Sequence, residues 1–368
     1  MRVLITNNTL HVRGGAESFM RDLAGDLQNC GHSVMVYSAD PQDADHFRGI
    51  DVIQSVDDLE NLPEPPDIIH AQHHMDAMTA LTALPNIPAI YHCHGAVWRE
   101  SVPKHPRIHH YLAMSRTLRE RMMIEYNLTP DSVDVFLNGV DPRRFCQVRK
   151  LPQRPRRGLF YNKFSHRNSP NALAVESAAA AMGIELDWIG RNFERMIGDP
   201  ENILPNYDVV FASGRSAIEA LACGCAVVVL GRTSCGEMVT PANFDRYRQV
   251  NFSIAVNSPP PSVEEISRQL LHFSPARCKL VTERIRIEAD SRDAVRTLTA
   301  LYERVIERHR TTKIDVREEL LALSHYMRRL VPIVRITDEL QNGVHSTRTS
   351  AVHQLLTQME MVKHRLTL

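Results

Sequence analysis

One carboxylate stands alone in the stretch SGRSAIEALACGCAVVV, Ser213–Val229, among small and apolar residues: Glu219. The stretch reads as a turn, a short helix, a glycine break and a buried strand. Near a helix start an acid is favoured electrostatically, so a plain stabilising role is open to it. In a nucleotide site the same group accepts two hydrogen bonds from a ribose diol. In YNKFSHRNSP, Lys163 and Arg167 follow a strand and precede a helix. Two cations beside a helix N-terminus suit a diphosphate; solvated surface charge is the alternative. HVRGGAES holds Gly14 and Gly15, which either let backbone approach an anion or form only a tight turn. It is not G-x-G-x-x-G, so the dinucleotide fingerprint is absent. In YHCHGAVWRE, His92 and His94 point the same way from a strand end. With no third ligand nearby, one histidine acting as a hydrogen-bonding group or base is expected rather than a metal pair. Asn138 sits in the Asn-Gly turn of LNGVDPRRF, Gly190 ends LDWIG, and Ser216 lies one turn before Glu219.

These residues need strand ends and helix starts to hold them. VLIT, SVMVYS, PDIIH and PAIYH read as short buried strands, and Phe19, Leu23 and Leu27 repeat at helical spacing between the first two. Ser115 caps the expected helix RTLRERMMIEY. After the basic, proline-containing stretch VRKLPQRPRRG, read as a linker, the pattern restarts with GLFYN, LDWIG, DVVFA and AVVVL. Ser262 and Glu265 have capping-box spacing, and one long helix is expected from about Pro275 to about His309. The alternation predicts an α/β protein with two doubly wound parallel sheets, and ligands bind such sheets at the carboxyl ends of the strands. From about Thr311 no strand pattern remains. Leu320, Leu323, Met327 and Leu330 form a stripe that Pro332 is expected to break, and HQLLTQMEMVKHRL is a second amphipathic stretch.

The 368 residues fit about two domains and an appendage. Lys plus Arg and Asp plus Glu number 43 each, so no global charge draws the chain to nucleic acid or membrane. No apolar run reaches membrane-spanning length, and MRVLITNN reads as a strand rather than a signal peptide. The seven cysteines lack paired metal spacing, and Cys223 and Cys225 read as small buried thiols. Asp43 and Asp45 spell a D-x-D pair in a polar run read as a loop.

GGAES, His94–Gly95, the string SRTLRERM to FLNGVDPRRF, and EALACGCAVVV occur in that order. Together they resemble retaining glycosyltransferases of the GT-B fold, family 4, over about residues 1–310. The resemblance implies two Rossmann-like domains facing across a cleft. Residues 1–147 would bind acceptor, residues 148–310 would bind a nucleotide-sugar, and 311–368 would be a helical tail for packing or oligomerisation. It implies that cations replace a metal on the donor diphosphate. Lys163 stands at the family's arginine position, and Arg167 falls one residue short of the usual lysine spacing. His94 matches a histidine near the transferred sugar, Gly14 and Gly15 match the loop at the donor phosphates, and Glu219 matches the ribose-binding glutamate. The family's other glutamate, which touches the transferred sugar, has no counterpart: Phe211 stands eight residues before Glu219, inside a strand. Glu237, Thr240 and Asn243 are candidates to replace that contact, with a solvated loop as the alternative.

The function this implies is metal-independent, retaining sugar transfer from a nucleotide-diphosphate-sugar to a glycan, lipid-linked or small-molecule acceptor. No cofactor and no nucleic-acid partner are expected. The family's habits suggest bacterial polysaccharide or glycoprotein synthesis and a cytoplasmic site, with at most peripheral contact at the inner membrane face. Two other readings stand beside it: a non-catalytic sugar-nucleotide binder or scaffold of an assembly complex, and a hydrolase or epimerase acting on the nucleotide-sugar.

Overall fold

The structure, a computed structural model, describes residues 1–10, 15–40, 47, 49–146, 150–162, 165–193, 199–254 and 258–346. Its strands are the short apolar runs of the sequence. The first sheet is built from β1 (Arg2–Thr6), β2 (Ser33–Tyr37), β3 (Asp51–Ile53), β4 (Ile68–Ala71), β5 (Ala89–Cys93), β6 (Ile108–Ala113) and β7 (Val133–Val135). Their order is β3-β2-β1-β4-β5-β6-β7. β1 pairs in parallel with both β2 and β4, Val3 standing opposite Val34 and Ile68. Every residue of β4, β5 and β6 is buried, as strands covered on both faces must be. The intervening helices are α1 (Gly15–Asn29), α2 (Val56–Glu60), α3 (His74–Ala83) and α4 (Arg116–Tyr126). The expected Ser115 cap is present, its hydroxyl accepting from the Leu118 amide.

The second sheet holds β8 (Arg157–Tyr161), β9 (Glu185–Ile189), β10 (Val209–Ala212), β11 (Ala226–Leu230) and β12 (Cys235–Met238), in the order β12-β11-β10-β8-β9. It is parallel except for β12, which runs antiparallel to β11 at the edge. The helices that follow are α5 (Pro170–Ala181), α6 (Arg215–Ala222), α7 (Phe244–Gln249), α8 (Val263–Leu270), α9 (Pro275–Glu288), α10 (Ser291–Thr311) and α11 (Val316–Ser346). Ser262 caps α8 as expected. In each sheet the strand order reverses once, between β1 and β4 and between β8 and β10, and a crevice opens at such a point. By contacts, the chain groups into one unit of Met1–His11, Ser33–Tyr111 and Glu303–Leu368 and another of Val12–His32 and Leu112–Tyr302.

Two helices differ from expectation. The single helix expected from Pro275 is two, broken at Ala289–Asp290. There the Val140 amide donates to the Ala289 carbonyl and the Ser291 amide donates to Val140, so chain from far upstream takes over the helix's own bonds. The helix through Leu330 does not stop at Pro332 but continues to Ser346. Pro332 forfeits one amide bond, and it lies on the exposed side of the helix. The earlier turns of α11 are pinned. Glu319 pairs at 2.7 Å with Arg107, a guanidinium with 2 % side-chain exposure that also donates to the carbonyls of Leu81, Leu84 and Ile87 at the end of α3. Burial pushes Arg107 down, and Glu319 opposes that shift.

Candidate functional site

The second sheet's crevice gathers several of the singled-out residues. β8 leaves the sheet at Asn162, whose amide donates to Ile189 at 3.1 Å. The Asn162 carbonyl lies so close to Gly190 that a β-carbon there would stand 2.0 Å away, so only glycine fits. Arg167 lies across the Trp188 ring at 4.7 Å and faces Glu176 at 3.8 Å, with 60 % of its side chain exposed. It remains available to an anion. Lys163, with which it was expected to work, and Gly14 lie outside the described residues; Gly15 opens α1.

Glu219 is the fifth residue of α6, in the second turn and not at the helix start as the sequence suggested. Its carboxylate is not stabilised by an N-terminus. It is held by Arg215, four residues earlier, whose Nε donates to Oε1 at 2.8 Å. Arg215 also pairs with Asp22 on α1. Arg144 reaches Asp22 at 3.5 Å and Glu201 at 2.7 Å, and Arg21 pairs with Asp22 at 3.2 Å. Three guanidiniums thus oppose three carboxylates in a largely buried cluster. Burial pushes the Glu219 carboxyl up against the pull of Arg215. It pushes Asp22 up too, but there Arg215, Arg21 and Arg144 outweigh it and hold the acid below its ordinary range. Ser216 hydrogen-bonds Tyr161 at the end of β8, joining α6 to the crevice. Beside the cluster is a pocket of about 210 Å³ lined by Phe19, Asp22, Asp26, Phe136, Arg144 and Arg215, among others.

The loop residues expected to read the donor sugar are mostly bound to one another. Asn243 accepts from the Thr240 amide at 2.7 Å and donates to the Met238 carbonyl at 3.0 Å, closing a turn before α7. Glu237 is not in a loop but in β12, where it pairs with Arg246. Asn138 holds Asn251 and Arg248 through its backbone, its amide donating to Asn251 Oδ1 at 3.2 Å and its carbonyl accepting from Arg248 at 2.9 Å.

The first sheet's crevice is a different place. Gln72 and Asn7 follow β4 and β1 and are fully buried. Among the described residues, neither polar atom of the Gln72 side chain, nor Oδ1 of Asn7 or Asn8, has a hydrogen-bond partner. The Gln72 backbone is tied to Thr6 by two bonds through Oγ1, of 2.8 and 3.0 Å. His73 adopts φ +53°, an uncommon conformation for a side-chain-bearing residue that costs about 1–3 kcal/mol. Its Nδ1 accepts from the Asn8 amide at 3.2 Å, so the proton is on Nε2, which donates to Glu100 at 3.1 Å. Glu100 also accepts from the His94 amide at 2.9 Å. The His94 ring stacks on His92 with centroids 4.3 Å apart, and His92 meets His70 at 3.2 Å. Burial pushes His94 down to about 4 and His70 to about 3. Near neutral pH His94 is therefore an uncharged hydrogen-bonding group. Among the described residues no cluster of three or more His, Cys, Asp or Glu is placed to hold a metal ion. Cys223 and Cys225 are buried, and burial pushes the Cys223 thiol up to about 12.

Sequence reasoning passed over Arg215, Asp22, Gln72 and Glu100. Only Arg215 carried a local signal, its four-residue spacing from Glu219. Asp22 meets Arg215 across 193 residues, and no pattern in the chain announces it.

Comparison with known proteins meets these observations. Residues 13–144 match the model of Glycosyltransferase Family 4. No curated protein sequence matches the chain. Among solved structures, a glycosyltransferase from Rickettsia africae ESF-5 superposes with a TM-score of 0.60 at 14 % identity, covering 83 % of this chain and 98 % of its own. A sucrose-phosphate synthase from Thermosynechococcus elongatus gives 0.55 at 14 % identity over 83 % and 99 %. WaaG, a glycosyltransferase involved in lipopolysaccharide biosynthesis, gives 0.53 at 14 % identity over 84 % and 100 %. The fold is the GT-B glycosyltransferase fold.

Proposed function

We propose that the chain transfers a sugar from a nucleotide-diphosphate-sugar to a hydroxyl of a glycan, lipid-linked or small-molecule acceptor, with retention and without a metal. The observation that carries this is the glycosyltransferase fold with Glu219 buried at the second sheet's crevice. A carboxylate has about four lone-pair sites. Arg215 uses one on Oε1 and fixes the group's orientation, and the ribose diol takes others. Lys163 and Arg167 meet the diphosphate. As the bond from the anomeric carbon to the phosphate oxygen breaks, its electron pair leaves with the diphosphate, and these cations stabilise the growing charge. The acceptor oxygen bonds to the same face of that carbon and its proton passes to the departing phosphate. Gln72, Asn7 and uncharged His94 supply hydrogen bonds to the acceptor. No observation favours a non-catalytic scaffold.

The test is acceptor-dependent release of nucleoside diphosphate from a panel of nucleotide-sugars. Lys163→Ala should lower turnover about 10²-fold or more. Unchanged turnover in that variant removes Lys163 from the site, and no release with any donor and acceptor pool counts against transfer itself.

A further inference from the structure

Helix α11 is fastened by polar contacts, and two of them reach the rim of the first sheet's crevice. The Tyr326 hydroxyl is hydrogen-bonded to His74 Nδ1 at 2.8 Å, and Arg329 Nη1 donates to the Val102 carbonyl at 3.0 Å. All four residues belong to one unit of the chain. His74 is buried and opens α3 directly after His73, the residue held at φ +53°. Val102 follows Glu100 by two positions, just past the turn Trp98–Glu100. The two touched segments therefore supply the two halves of the His73–Glu100 pair. The Trp98 ring packs edge-on against His74 with centroids 4.5 Å apart and ties the segments together. Burial keeps Tyr326 and His74 uncharged near neutral pH, pushing the phenol up to about 12 and the imidazole down to about 4. Strand β5 adds bonds of its own to the turn: Tyr91 donates to the Ser101 carbonyl at 2.9 Å and Cys93 Sγ to the Glu100 carbonyl at 3.3 Å.

We propose that Tyr326 and Arg329 are positioning residues of this crevice: they set His73 and Glu100, and through Glu100 the His94 amide, in the geometry that receives the acceptor. The proposal rests on the reading of the first crevice as the acceptor site. A strained backbone persists only where its surroundings over-determine it, and α11 grips the residue next to the strained one. Bonds to one ring nitrogen and one carbonyl fix a direction, which apolar packing does not. Apolar packing under this part of α11 is also thin: Leu323 and Leu330 are half-buried, and Met327 and Val331 are 60 % exposed. The helix lies beyond the residues that carry the family resemblance, so this support for the crevice is an addition of this chain.

The test uses the full chain labelled with nitrogen-15 in histidine, its signals assigned by single-site variants. In the wild type His73 should show one tautomer, protonated on Nε2. In Tyr326→Phe and in Arg329→Met that signal should shift and broaden, while circular dichroism melts within a few degrees of the wild type verify the fold. The pair His109–His309, bound to Asn86 instead, should not move. Kinetics with the acceptor that supports transfer give the second readout. Tyr326→Phe should raise KM for acceptor about fivefold, the effect of one hydrogen bond, and leave kcat and KM for donor unchanged. Arg329→Lys, which keeps a donor, should recover most of what Arg329→Met loses. An unmoved His73 signal in both variants overturns the inference. So does a loss of kcat or donor affinity equal to that of acceptor affinity, which makes α11 a general support of the fold. A wild type that transfers to no acceptor counts against the transfer reading, and the His73 signal still decides whether α11 sets the crevice.

Discussion

The two crevices bury polar groups by opposite means. Beside the second sheet, full charges are kept and matched, Arg215 standing between Asp22 and Glu219 with Arg21, Arg144 and Glu201 around them. Beside the first sheet, charge is mostly suppressed. His70, His74, His92 and His94 are all driven down by burial and stay neutral, and Glu100 is held ionised against burial by His73 and His94. A donor diphosphate brings charge and is suited by a site whose charges are preorganised. An acceptor hydroxyl brings none, and neutral rings and unpaired amides suit it. The contrast is also one of cost. A paired cluster is sensitive to the loss of any one member, whereas a neutral cluster is sensitive to pH.

The first way to break the comparison is to remove the central cation. Arg215→Met leaves Asp22 and Glu219 facing each other without it, and should destabilise the chain by about 3–5 kcal/mol in urea or thermal unfolding. Adding Glu219→Gln and Asp22→Asn to that variant should recover much of the loss, because the stranded charges then disappear. A loss below about 1 kcal/mol in the single variant would mean the cluster is not closed as described.

Acid should separate the two regions. The histidines have folded values below their ordinary 6.5, His70 near 3, His74 and His94 near 4. The unfolded chain therefore binds more protons as pH falls below about 6.5. Stability present above that pH is lost down to about 4, by about 1.4 kcal/mol per pH unit for each histidine that stays neutral. Asp22, held below 3.8, has the same sign but a lower window, losing its contribution only as pH drops through the acid range. Urea midpoints that stay level between pH 7 and pH 5 would contradict the neutral-histidine reading.

Two smaller changes sharpen the division of labour. Gln72→Met removes two polar atoms that have no partner among the described residues from a fully buried site, so stability should hold or rise by about 1 kcal/mol. Acceptor saturation should weaken at the same time, measured as KM for acceptor with KM for donor unchanged. Arg167→Ala should cost less than about 1 kcal/mol of stability, since the Arg167 side chain is largely exposed and its pair with Glu176 lies at the surface. Its effect should be on donor affinity, read by calorimetry.

Much of the scaffold was legible because it is written locally. Runs such as VLIT and AVVVL became buried parallel strands, and Ser115 and Ser262 became caps. Several features escaped, three of them for clear physical reasons. β6, IHHYLA, interrupts its apolar run with His109 and His110, which are buried nonetheless. β12 is a four-residue antiparallel edge with no periodicity to read. The break between α9 and α10 comes from Val140, about 150 residues upstream, and not from any residue at the break. The site divides in the same way. Glu219 announced itself by its isolation, but what holds it could be half read at best: Arg215 by spacing, Asp22 not at all.

The central claim is that Glu219, preset by Arg215, grips the ribose of a nucleotide-sugar. Calorimetric titration of a nucleotide-diphosphate-sugar panel against the wild-type chain and Glu219→Gln tests it directly. The account predicts that one nucleotide binds the wild type and that the variant loses about 1.5–3 kcal/mol, the worth of hydrogen bonds to a charged group. Equal affinity in both would contradict it, as would a chain that binds none of the panel.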